Sequence, residues 1–87
     1  MNIYLISQRE NNGYDTYSDM VVVAKDEEEA RNIHPREQYM NIEDQEDPWE
    51  DEYSGWCRSP NKVTVEIKGR AIKGMKKGII LTSFHAG

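Results

Sequence analysis

The chain has 87 residues, 37% of them hydrophobic, with a net charge of -5 and one cysteine. A chain of this length removes only about 60 to 65% of its unfolded surface from water on folding. That leaves one thin layered core, and excludes two domains or a deep internal cavity. The lone Cys57 excludes an internal disulfide, and no stretch has the length of a membrane span or the pattern of a signal peptide; the expectation is a soluble, cytoplasmic protein without membrane contact.

Residues Ile3 to Ser7 (IYLIS) predict a first strand and Met20 to Ala24 (MVVVA) a second, whose valine run suits a central position covered on both faces. Between them Gln8 to Ser18 is too long for a tight hairpin, so the Asn12-Gly13 turn belongs to a longer loop. Asp26 with Glu29 three residues on is a capping-box pattern, with Glu27 and Glu28 adding negative charge at the positive end of the dipole. A helix is predicted from there, with Ala30 and Ile33 toward the sheet, Glu27 paired with Arg31, and His34-Pro35 as its end.

Residues 36–60 carry no periodicity and are predicted to be a long acidic connection, with at most one helical turn. Seven carboxylates fall among the ten residues from Glu43 to Glu52, and Trp49 and Trp56 are the side chains able to pin the segment to the body. Lys62 to Lys68 then alternates, with Val63, Val65 and Ile67 on one face. A last strand is predicted over Ile79 to Phe84, with Ile79 and Leu81 on one face and Ile80, Thr82 and Phe84 on the other. The order ββαββ predicts a single α+β domain over residues 1–87: a mostly antiparallel four-stranded sheet with one helix on one face.

Charge is separated along the chain. Fifteen of sixteen acidic residues lie at or before Glu52, and seven of eleven basic ones between Arg58 and Lys77. Such polarity can steer a charged partner or be cancelled on folding.

No pattern supports catalysis. Cys57 and the two histidines lack the local signature of a nucleophile and its oriented base, and the acidic run lacks the glycine and ligand spacing of a calcium loop. The expectation is a protein that is not an enzyme, without metal or cofactor. The loop Glu10 to Tyr17 (ENNGYDTY) has the composition of a plain turn, but Tyr14 and Tyr17 also offer stacking surfaces, with Asn11, Asn12 and Asp15 supplying directional hydrogen bonds. Lys76 and Lys77 add a cationic turn, and Ser83, Phe84 and His85 a polar aromatic strand end. Together these ten residues form the predicted ligand-binding set. A small phosphorylated ligand suits them better than general DNA or RNA binding, given the acidic balance of the chain. The acidic run is most simply a solvated loop; as a functional surface, Glu46, Asp47, Glu50 and Asp51 with Trp49 and Trp56 as anchors would meet a basic groove on another protein, in the manner of a nucleic-acid mimic.

The segments ENNGYDTYSDMVVVAKDEEEARNIHP and KKGIILTSFHAG together resemble a group of small proteins encoded by phages and prophages. In that group a hairpin with an NGYDTY-like loop and a GVILASFNAG-like ending bracket a variable middle; His85 stands here where the group has asparagine. The likeness covers up to two-thirds of the chain and implies a setting, counter-defence inside a bacterial host, rather than a mechanism. Within that setting the first expectation is a binding protein that sequesters a small nucleotide-derived immune signal without chemistry, working as a homo-oligomer. The alternative is an acidic inhibitor that binds a host defence protein directly.

Overall fold

The computed structural model describes residues 1–11, 13, 15–38, 47–50 and 55–85. Four strands, β1 (Asn2–Ser7), β2 (Thr16–Ala24), β3 (Thr64–Arg70) and β4 (Gly78–His85), form one antiparallel sheet in the order β3-β1-β2-β4. The helix α1 (Glu27–Arg31) follows β2 and packs against β1, β2 and β3. This is the predicted α+β arrangement.

The register decides which side chains meet the helix. Tyr4 pairs with Val22 and Ile6 with Met20, and these four join Ala24, Ala30, Ile33, Trp56, Cys57 and Val63 in one core. The opposite face carries Ile3, Leu5 and Val21, all only partly covered, and Val23, which is buried. The valine run thus lies in a central strand as its composition suggested. Trp56 is the largest fully buried side chain, and removing such a ring costs about 3 to 5 kcal/mol.

α1 begins as its sequence demands. The Asp26 side chain accepts from the Glu29 N–H at 2.8 Å, while the Glu29 carboxylate reaches back to the Lys25 N–H at 3.0 Å. Arg31 bonds Glu27 at 2.9 Å and also donates to the Pro60 carbonyl at 3.2 Å, which fastens the helix to the segment before β3. The helix stops at Arg31 rather than at His34-Pro35. Asn32 folds its amide back onto the Glu28 carbonyl at 2.7 Å, and the chain then tightens into a separate 3-10 turn over Pro35–Gln38.

Strand limits differ from expectation where the alternation is broken. β2 starts at Thr16, four residues before Met20, because an extra residue at Ser18 bulges between the Tyr17–Phe84 and Asp19–Ser83 pairs and hides the period. β3 starts at Thr64, since the Ser59 hydroxyl caps a Pro60–Lys62 turn that holds Lys62 out of the sheet. A second bulge corrects the reading of β4: Val21 pairs with Leu81 but Val22 with Ile79, so Ile80 is the extra residue and Ile79 and Leu81 lie on opposite faces. Ile79 packs against the core while Leu81 is 56% exposed.

The connection from 36 to 60 is irregular where described, with 3-10 turns at Pro35–Gln38, Pro48–Glu50 and Pro60–Lys62. Both tryptophans hold it to the body: Trp49 meets the buried His34 edge-on at 4.9 Å, and Trp56 enters the core. Most of the run from Glu43 to Glu52 lies outside the described residues.

Candidate functional site

The β1–β2 loop is organised by a residue that its composition did not single out. Gln8 is 3% exposed. Its amide donates to the carbonyls of Asn11 and Tyr17, both at 2.7 Å, and its oxygen accepts from the Asn11 N–H at 2.8 Å. Asn11 in turn donates from Nδ2 to the Trp56 carbonyl at 3.1 Å, and the Tyr17 N–H donates to the Gly55 carbonyl at 2.8 Å. The loop base is therefore stapled to the 55–57 segment. Asp15 is exposed and takes the left-handed conformation, φ 58°, which aspartate tolerates better than most residues.

Tyr17 is buried and its ring lies 4.7 Å from that of Phe84 at a tilt of 47°. Phe84 is 47% exposed, and His85 pairs with Thr16 in the ladder. Thus Asn11, Asp15, Tyr17, Ser83, Phe84 and the backbone of His85 gather at one end of the sheet. Asn12 and Tyr14 lie outside the described residues. Lys76 and Lys77 sit at the other end of β4, about 20 Å away at strand spacing. The predicted ligand set is therefore split into two groups.

The second group borders an open groove. Between the Pro35–Gln38 turn and the start of β4 lies a space of about 380 Å3, lined by Ile33, Glu37, Gln38, Lys77, Gly78 and Ile79. Ile33 and Ile79 give it an apolar floor, and the exposed Glu37, Gln38 and Lys77 give it a carboxylate, an amide and an ammonium group. The Glu37 carboxylate accepts from the His34 N–H, which fixes its position. His34 itself accepts from the Arg36 N–H through Nδ1 at 3.1 Å. The Gln38 amide touches the Thr82 hydroxyl at 3.5 Å, closing the turn onto β4.

Among the described residues, Lys77 is the only predicted one that lines this groove, with Lys76 next to it in sequence. Ile33, Glu37, Gln38 and Ile79 were not foreseen as site residues. The signal that could have found them is the His34-Pro35 helix stop, which turns Glu37 and Gln38 back over the sheet.

Of the residues predicted to meet a protein partner, Asp47 and Glu50 are exposed on the Pro48–Glu50 turn, Trp49 is half-buried, and Trp56 is inside the core with no surface to offer. Glu46 and Asp51 lie outside the described residues. Cys57 is buried beside Trp56, and burial pushes its thiol above its ordinary pKa. Its Sγ donates to the Ser59 carbonyl at 3.5 Å. Among the described residues no three of histidine, cysteine, aspartate and glutamate come together as a metal site, and no helix is long and apolar enough to cross a membrane.

No protein-family model, curated protein or solved structure matches the chain.

Proposed function

We propose that this protein holds a small nucleotide-derived molecule without changing it, in the groove between the Pro35–Gln38 turn and β4. The observation that carries this reading is the lining of that groove: two isoleucines below, and a carboxylate, an amide and an ammonium group around it. The space of about 380 Å3 falls at the small end of the roughly 300 to 1,000 Å3 typical of ligand sites. A planar base fits the Ile33 and Ile79 floor, the Gln38 amide can donate to and accept from its edge, and Glu37 can accept from ribose hydroxyls. The Lys77 ammonium then meets phosphate, with Lys73 and Lys76 adding positive charge on the same turn.

The resemblance to phage-encoded proteins supplies the setting, capture of an immune signal inside a bacterial cell. Calorimetry with cyclic nucleotides and ADP-ribose derivatives tests the binding, and mass analysis of the recovered ligand tests whether it is released unchanged. Absence of heat with every member of that panel would remove the proposal.

A second reading rests on the exposed carboxylates of Glu27, Glu28, Asp47 and Glu50. They suit a protein that docks on a basic surface of a defence protein. In that case neutralising Asp47 and Glu50 abolishes inhibition, whereas the groove reading leaves it intact.

A further inference from the structure

The two edges of the sheet are built differently. β3 places Thr64, Glu66, Lys68 and Arg70 on exposed positions beside the apolar Ile67 (59% exposed), has a bulge opposite Ile3 and Tyr4, and binds Lys68 to Glu66 at 2.8 Å. Charges and bulges of this kind prevent a strand edge from pairing with another chain. β4 reads GIILTSFH and contains no Asp, Glu, Lys, Arg or Pro. Its own extra residue is Ile80, and Leu81, Thr82, Ser83, Phe84 and His85 follow without another, although β2 bulges opposite them at Ser18, between the Tyr17–Phe84 and Asp19–Ser83 pairs. Within it Leu81 is 56% and Phe84 47% exposed.

We infer that β4 is where two copies of this chain meet, pairing antiparallel about a two-fold axis at Ser83. The absence of an extra β4 residue from Leu81 to His85 picks that axis, because pairing centred at Ile80 would set the two β4 bulges against each other. Around Ser83 the Leu81 of one copy faces the His85 position of the second copy, and Thr82 faces the second copy's Phe84. The two Phe84 rings then become diagonal neighbours, a spacing aromatic side chains can bridge. Each is already backed by its own Tyr17 at 4.7 Å, so an aromatic row of Tyr17, Phe84, Phe84 and Tyr17 crosses the junction. No like charges of β4 oppose each other, since this stretch has none. A two-fold contact also closes on itself, which limits assembly to a dimer.

The pairing is short. Five residues span about 17 Å of edge, less than a standard interface of roughly 800 Å2 per partner needs, so the dimer is expected to form and dissociate with concentration. The contact includes Thr82, whose hydroxyl is touched by the groove residue Gln38, but it needs no nucleotide in the groove and stands whether or not that groove binds one.

Sedimentation equilibrium of the full chain, without ligand, over a micromolar to millimolar range tests this directly. The expected result is a mass rising from one copy to two. Ser83→Glu, which sets four carboxylates (its own, Asp19 and both equivalents) around the axis, should hold the protein at the monomer mass while its circular dichroism and melting remain cooperative. Ser83→Cys should close an intermolecular disulfide on mild oxidation, whereas Thr64→Cys at the β3 edge should not. A monomer mass at every concentration, a dimer indifferent to Ser83→Glu, or equal cross-linking at both edges would each overturn the inference. Because the mass is read without ligand, a failure here is distinguishable from a failure of the nucleotide panel.

Discussion

Asn11 and Trp56 are joined across 45 positions of sequence by one hydrogen bond, Asn11 Nδ2 to the Trp56 carbonyl at 3.1 Å. It links the β1–β2 loop to the residue that fills the core, and Gln8 holds Asn11 in place from the other side through two further bonds. Gln8→Ala should therefore cost more than Asn11→Ala. Leaving buried carbonyl and N–H groups without partners is worth about 1 to 3 kcal/mol, so Gln8→Ala is expected to lower stability by about 2 kcal/mol and the melting temperature by roughly 10 °C. Urea titration of both variants measures it. An unchanged midpoint for Gln8→Ala would mean the loop base does not support the fold.

Gly55 is the position where the same junction allows no side chain. Its φ is +82°, and a Cβ there would come within 2.8 Å of the Asp15 carbonyl oxygen and 3.4 Å of the Tyr17 ring. Gly13 also has positive φ but open space around it. Left-handed backbone costs an L-residue about 1 to 2 kcal/mol, so Gly13→Ala should lose about that much. Gly55→Ala should lose more, because the clash falls on backbone that cannot rotate away. Equal losses in thermal melts would contradict the close approach.

The parts of the fold that were legible in the sequence are those where one local rule acts alone. IYLIS and the alternation around Val65 gave strands, and Asp26 with Glu29 gave the helix start, because side-chain period and capping are short-range properties. The three bulges were not legible: Ser18, Lys68 and Ile80 are ordinary strand residues, and only their pairing partners show that each is one too many. The error the Ile80 bulge caused, Ile79 and Leu81 on one face, set a core residue and an exposed one on the same side. For the site, Lys77 was visible as part of a lysine turn, whereas Glu37 and Gln38 acquire meaning only when the 3-10 turn after Pro35 brings them beside β4. Trp56 shows the reverse case, a residue whose type suggests an interface anchor and whose burial makes it core.

Cys57 offers a check on that burial. Desolvation raises its pKa, with the nearby Glu10 charge acting in the same direction and backbone hydrogen bonding to the thiolate at Ser59 against it. The folded state thus favours the neutral thiol more than the unfolded chain does. Its contribution to stability is complete below the unfolded pKa and is lost as pH rises through the higher folded value, so the effect is confined to alkaline pH. Alkylation near neutral pH should be slow in the native protein and fast in denaturant, and Cys57→Ser should flatten the alkaline fall in stability. A native thiol that reacts as quickly as the denatured one would contradict the core placement.

The groove gives the sharpest separation between functional readings. Lys77 is exposed on the rim, so Lys77→Ala should leave the melting temperature nearly unchanged. A charge-assisted hydrogen bond to phosphate is worth about 1.5 to 3 kcal/mol, so its removal should weaken binding of a nucleotide by roughly tenfold or more. The loss should shrink as salt is raised, because screening weakens the same contact in the parent protein. Gln38→Ala should weaken binding less and change which base is preferred, since the amide reads the ring edge rather than the charge. Asp47→Asn with Glu50→Gln should leave the heat of binding as it was. If Lys77→Ala binds like the parent while the doubly neutralised variant does not, the ligand sits on the acidic side and the groove is only a surface depression.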